Sequence, residues 1–222
     1  LVDRTMIDLA RNIPIYAPTI NKYVKGEPQA ILLVEFAGED QAEQLKNLRE
    51  LGELMESLGF ADAVVEATEA KSQAEIWEVR KSGLNIMMSM KGDGKPISFI
   101  EDCAVQLEDL AEYTRRLNEI FDKYGTTGTF YAHASVGCFH VRPVLNMKRG
   151  DDVAAMRGIA EEAFALVKRY GGSHSGEHGD GIARSEFNEV MFGPRMAGLF
   201  ADVKKLFDPQ NIMNPGKITN AP

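Results

Sequence analysis

The stretch TGTFYAHASVGCFHVRPVL, residues 127–145, decides how this chain folds. Two runs rich in β-branched and aromatic residues, 127–134 and 138–145, flank Val136-Gly137, the pattern of an antiparallel hairpin with a two-residue turn. A turn centred there sets His133 directly opposite His140. Opposed side chains hold their Cβ atoms about 4.5–5.5 Å apart, close enough for two imidazoles to share a metal ion. The plainer alternative is a pair of half-buried histidines bonded to backbone. Arg142, two residues beyond His140, lies on the same strand face. Beside a dication it calls for a joining anion, such as a substrate carboxylate; its other reading is an arginine turned to solvent past the sheet rim near Pro143.

Downstream, the spacing of Val153, Met156, Ala160, Ala163, Phe164 and Val167 predicts a helix over 151–170, with acidic residues in its first turn. GGSHSGEHGDG (171–181) follows, with five glycines in eleven residues, and cannot hold a regular element. This loop is expected to be mobile. Glu177 offers a third metal ligand and leaves a fourth position open, the catalytic rather than the structural zinc pattern. Neighbouring side chains diverge in an extended loop, so His178 is free to move protons instead. Alternatively the loop merely contains these residues, or its amides cradle an anion. His174 is read as a solvated loop residue. Two short helices and an NPGK tail close the chain.

Upstream, a helix is predicted over 107–124 and a strand over 97–105, after a loop marked by Gly92, Gly94 and Pro96. A helix over 69–90 precedes them. AILLVEF (30–36), an amphipathic helix from Ala42 to Leu58, and ADAVVEA (61–67) read as a β-α-β unit. Residues 1–29, with Pro14, Pro18 and Pro28, read as an irregular leading segment. The expected architecture is α+β, a mostly antiparallel sheet with helices packed on it. A substrate-binding domain over 30–206 and a C-terminal tail over 207–222 complete the division.

With 222 residues, 44% of them hydrophobic and 26% charged, the chain buries roughly 70% of the surface its unfolded form exposes, enough to fold without staples. A net charge of −8 supplies no cationic field for nucleic acid. Cys103 and Cys138 are too few for a disulfide framework and read as two reduced thiols of a cytosolic protein. No window approaches the roughly 18 apolar residues of a membrane span. Because the sequence begins at Leu1 rather than Met, a piece of a longer polypeptide is expected.

HASVGCFHVRPV (133–144), YGGSHSGEHGDG (170–181) and LFDPQNIMNPGKI (206–218), in that order, resemble the C-terminal cap domain of the FAD-linked oxidases and dehydrogenases that act on D-2-hydroxy acids. The family includes D-lactate dehydrogenase, the glycolate oxidase flavoprotein subunit and D-2-hydroxyglutarate dehydrogenase. The wording is most similar to the long bacterial members that fuse flavin and iron–sulfur domains. The resemblance implies a fold with ferredoxin-like elements and a divalent metal, zinc by preference, held by His133, His140 and Glu177. It makes His178 the base that takes the substrate hydroxyl proton, and Arg80, in a W-x-x-R match, the binder of the substrate carboxylate. Asn214 of NPGK would return to the flavin, which an FAD-binding domain of the same full-length chain carries. Further implications are an iron–sulfur cluster elsewhere in that chain, an unidentified electron acceptor, and a cytoplasmic location or peripheral attachment to the inner membrane. Two departures stand out: Ser135-Val136-Gly137-Cys138 replaces the family's Gly-Asp-Gly-Asn, and Arg142 replaces an Asn. Two rival functions are a stand-alone metal-dependent hydrolase and a non-catalytic scaffold subunit.

Overall fold

The computed structural model describes residues 1–221. The chain divides into two compact units, Leu1–Met90 and a second that begins at Lys91.

The first unit is largely helical. Two-residue strands β1 (Val2–Asp3) and β2 (Ala30–Ile31) pair antiparallel. Asp3 then caps α1 (Arg4–Arg11), its carboxylate accepting the Met6 N–H at 3.0 Å, and α1 buries Met6, Ile7 and Ala10. Helices α2 (Ala17–Tyr23), α3 (Gln41–Ser57), α4 (Ala70–Lys81) and α5 (Gly83–Met88) follow. Residues 1–29 therefore carry two helices where an irregular segment was expected. The β-α-β expectation fails in its strands: pairing stops at Ile31, Leu32 to Val34 are exposed, and 61–67 forms no strand. Its helix forms, N-capped by Asp40, but buries no residue. An apolar run becomes a strand only where an edge accepts its hydrogen bonds, and Val2–Asp3 offers two residues of edge to β2. The long helix over 69–90 is interrupted at Ser82.

The second unit is built around the hairpin. Strand β6 (Cys138–Leu145) pairs antiparallel with β5 (Gly128–His133), β3 (Lys95–Pro96) and β4 (Cys103–Ala104). Over β6 pack α6 (Leu110–Lys123), burying Tyr113, Leu117 and Phe121, and α7 (Gly150–Arg169), burying Ile159, Ala163, Phe164 and Val167. Asp151 and Asp152 in the first turn of α7, with Lys168 and Arg169 in its last, complement the helix dipole. Short α8 (Asn188–Phe192) and α9 (Pro194–Phe207) complete the unit. The α+β expectation and the antiparallel pairing hold.

The hairpin register differs from the expected one by two residues. His133 faces Cys138, and His140 faces Tyr131. The connection is four residues long, a 3-10 turn over Ala134–Val136 closed by Gly137 at φ 66°. A side chain at Gly137 would meet the Val105 carbonyl oxygen at 1.9 Å, so both backbone angle and space demand glycine. Because the shift is even, every side chain keeps its face. His133 and His140 become diagonal rather than direct neighbours. The strand predicted over 97–105 survives only as Cys103–Ala104, since Asp102 at φ 80° breaks the extended run before it.

Candidate functional site

Strand parity brings His133, at the end of β5, and His140, in the middle of β6, to one face, their rings perpendicular with centroids 5.1 Å apart. His140 is almost entirely buried, packed against Tyr131 on one side and His178 on the other, the latter 4.8 Å away and nearly parallel. Burial, reinforced by the nearby His178, lowers the pKa of His140 and keeps its lone pair available. Glu177 reaches in from the glycine-rich loop. Its Oε1 lies 2.9 Å from His140 Nε2, 3.3 Å from His133 Nε2 and 3.3 Å from His178 Nε2. Two imidazole nitrogens and one carboxylate oxygen converging on a point form the donor set of a catalytic zinc site, and they fit such an ion. His178 aims Nε2 at the same point while its Nδ1 lies 3.6 Å from Glu101 Oε1.

A tight four-residue group of possible ligands comprises Asp102, His140, Glu177 and His178, whose donor atoms lie within 4.8 Å of one another. Of these, Asp102 is poorly placed to ligate, because its oxygens are already engaged, whereas His133 Nε2 lies 3.3 Å from Glu177 Oε1. Asp102 Oδ1 accepts the Glu177 N–H at 2.9 Å, and Oδ2 accepts the His178 N–H at 2.8 Å and the Ser175 hydroxyl at 3.2 Å. Burial alone would raise the Asp102 carboxyl, but the amide donors of His178 and Glu177 outweigh it and hold it below the ordinary carboxylate value. The sequence reading missed Glu101 and Asp102. The signal was there: two adjacent carboxylates inside the otherwise apolar run ISFIEDCAV, where a buried charge must find partners.

Arg142 shares the site's face but turns neither to solvent nor to an open anion position. Its Nε and Nη2 both bind Glu101 Oε2 at 2.7 Å, with both side chains largely buried. The joining anion that its placement required is internal. His174 corrects the expectation of a solvated loop residue. It is fully buried, Nε2 3.1 Å from Asn188 Oδ1, between the rings of Phe164 and Phe192, and burial lowers its pKa. A glycine-rich neighbourhood suggested exposure, yet the imidazole serves as the loop's apolar anchor. Further ties hold the loop and its flank to the sheet: Ala104 and Ser173 exchange backbone hydrogen bonds, and Arg184 donates to the Glu101 carbonyl at 2.7 Å. Both cysteines are free and buried, and burial pushes each thiol up to about 12, which suits the reduced, inert state.

In the first unit, Arg80 on α4 lays its guanidinium 4.8 Å from the centre of the Trp77 ring, the two residues of the W-x-x-R element one helical turn apart. Asn214 lies in the exposed C-terminal tail at φ 46°, a left-handed angle that Asn tolerates.

The family model described as "FAD linked oxidases, C-terminal domain" matches residues 1–218. The chain belongs to this family. It is 34% identical over 227 residues to the D-2-hydroxyglutarate dehydrogenase of Escherichia coli, covering 98% of this chain and 22% of the relative. With the D-2-hydroxyglutarate dehydrogenase of Pantoea ananatis it shares 31% over 226 residues, at the same coverage. With the D-lactate dehydrogenase of Archaeoglobus fulgidus it shares 34% over 197 residues, 89% of this chain and 41% of the relative. The chain thus spans about a fifth of the length of the first two. No helix among the described residues is long and apolar enough to cross a membrane.

Proposed function

We propose that this chain supplies the metal and substrate site of a flavin-dependent dehydrogenase that oxidises a D-2-hydroxy acid to the 2-oxo acid. The observation that carries the reading is the convergence of His133, His140 and Glu177 on one point, with His178 stacked beside it, in a family of FAD-linked oxidases. The relatives named for D-2-hydroxyglutarate and D-lactate support a small 2-hydroxy acid as substrate.

His133, His140 and Glu177 would hold a divalent ion, zinc by the donor set. When bound, that ion supplies Lewis acidity at the substrate hydroxyl, and a flavin carried by a separate domain supplies the hydride acceptor. His178 takes the hydroxyl proton at Nε2, the nitrogen that faces the metal ligands. The Asp102-bound amides fix that imidazole's backbone, so the base meets its proton in one geometry. Arg80 binds the substrate carboxylate and Asn214 contacts the flavin, both on the family resemblance. Arg142, already paired, contributes through Glu101. The tail from 207 returning to the flavin domain, an iron–sulfur cluster in the full-length protein, an electron acceptor outside this chain and a cytoplasmic location belong to the same proposal.

The test is dye reduction by the full-length protein with D-2-hydroxy acids. His178→Ala is expected to lower kcat by about 10²–10⁴-fold, and activity unchanged in that variant would remove the assigned base. Elemental analysis of the purified protein is expected to give one divalent ion per chain, lost in His133→Ala. A wild type that takes up no zinc at saturation overturns the ligand assignment.

A further inference from the structure

We infer that Asp102 is the positioning residue of this site: it clamps the backbone of the segment carrying Glu177 and His178 onto the sheet, although it touches neither reacting atoms nor ion. The inference rests on the metal and base roles proposed above. The loop has no regular structure of its own, and its two functional side chains are close to half exposed, so something outside it must fix it.

Asp102 does this with every acceptor it has. Its side chain takes the consecutive amides of Glu177 and His178, one per oxygen, plus the Ser175 hydroxyl, and its own carbonyl takes the Gly176 N–H at 2.6 Å. Four consecutive loop residues therefore bind one residue, which is completely buried. Asp102 is in turn fixed to the hairpin, its N–H donating to the Phe139 carbonyl at 2.6 Å, one residue before His140. The strand that carries His140 and the loop that carries Glu177 and His178 are thus joined through a single residue. Two further features fit the role. Asp102 adopts φ 80°, a region that a non-glycine residue occupies only when its surroundings impose it. Opposite it, a side chain at Gly176 would press on Cys138 Sγ at 2.9 Å and on the Asp102 carbonyl at 3.1 Å, so the loop approaches as closely as glycine permits.

Only a carboxylate can serve. Asn has nearly the same shape and tolerates the same backbone angle, but its NH₂ would face one of the two amide N–H groups and repel it. Gly relieves the backbone angle and removes both acceptors. The experiment is amide hydrogen exchange on the full-length protein, wild type, Asp102→Asn and Asp102→Gly, together with zinc affinity by chelator competition. In the wild type the amides of Glu177 and His178 are expected to exchange slowly despite their exposed side chains. In both variants exchange over 175–178 is expected to rise at least tenfold while β5 and β6 keep their protection, and zinc affinity to fall about 10–100-fold. A merely structural role would lower thermal stability and leave zinc affinity of the folded protein unchanged. Exchange and zinc affinity within twofold of the wild type in both variants overturns the inference, as does fast exchange of Glu177 and His178 in the wild type, a result that stands even if the variants fail to fold. A wild type that binds no zinc overturns the metal reading instead, and the exchange pattern then decides the role of Asp102 by itself.

Discussion

His174 shows how much a single side chain's surroundings can reverse its reading. In sequence it sits between serines in a glycine-rich loop, and in the structure it is fully buried against Phe164, Phe192 and Asn188. Burial lowers its pKa below the ordinary value of 6.5, so the folded protein holds it neutral where the unfolded chain would take up a proton. Its contribution to stability is complete above about pH 6.5 and is lost as pH falls below that, at up to about 1.4 kcal/mol per pH unit for one proton. Thermal melts between pH 5 and 7.5 are expected to show this decline, and His174→Phe to flatten it by one proton's worth. His140, lowered for the same reason, adds to that slope in metal-free protein. At this scale the sequence was legible for identity and illegible for environment. It singled out His133, His140, Glu177 and His178, which do meet, but passed over Glu101 and Asp102, because a carboxylate's role depends on donors that here lie 41 to 76 residues away.

At the scale of elements, local periodicity carried most of the second unit. The strand expected over 138–145 is observed over those residues, and the helix expected over 151–170 is observed over 150–169. The hairpin's faces followed from the two-residue period of strands, which survives any even shift. Its register did not follow, because Gly137 was read as half of a two-residue turn and in fact closes a four-residue one. That glycine is the element's weak point. Gly137→Ala places a Cβ against the Val105 carbonyl at an angle unfavourable to alanine, and is expected to cost at least about 2 kcal/mol. Urea unfolding would measure it, and a loss under 0.5 kcal/mol would mean that the turn re-forms without strain. In the first unit the same reasoning failed at 30–36 and 61–67, where apolar residues are plentiful but pairing is confined to Ala30–Ile31 with Val2–Asp3.

For the whole molecule, the division at Met90 and Lys91 matters more than the boundaries read from composition. The side chains of His133, His140, Glu177 and His178, the loop that carries the last two of them and the carboxylate that holds the loop lie in the second unit, which has its own core from β6, α6 and α7. Residues 91–222 expressed alone are therefore expected to bind one zinc ion with an affinity within about tenfold of the full-length protein, measured by calorimetry. Loss of binding in a fragment that still melts cooperatively would show that the first unit completes the site. The sequence by itself determined the residue types of the site, the shared face of the two strand histidines, the α+β class and the family. Those are properties of near neighbours and of chemical identity. Only the tertiary structure decided the hairpin register, the burial of His174, the pairing of Arg142 with Glu101 and the clamp at Asp102. Each is a contact between segments far apart in sequence, fixed by which buried polar groups must find partners when the core closes.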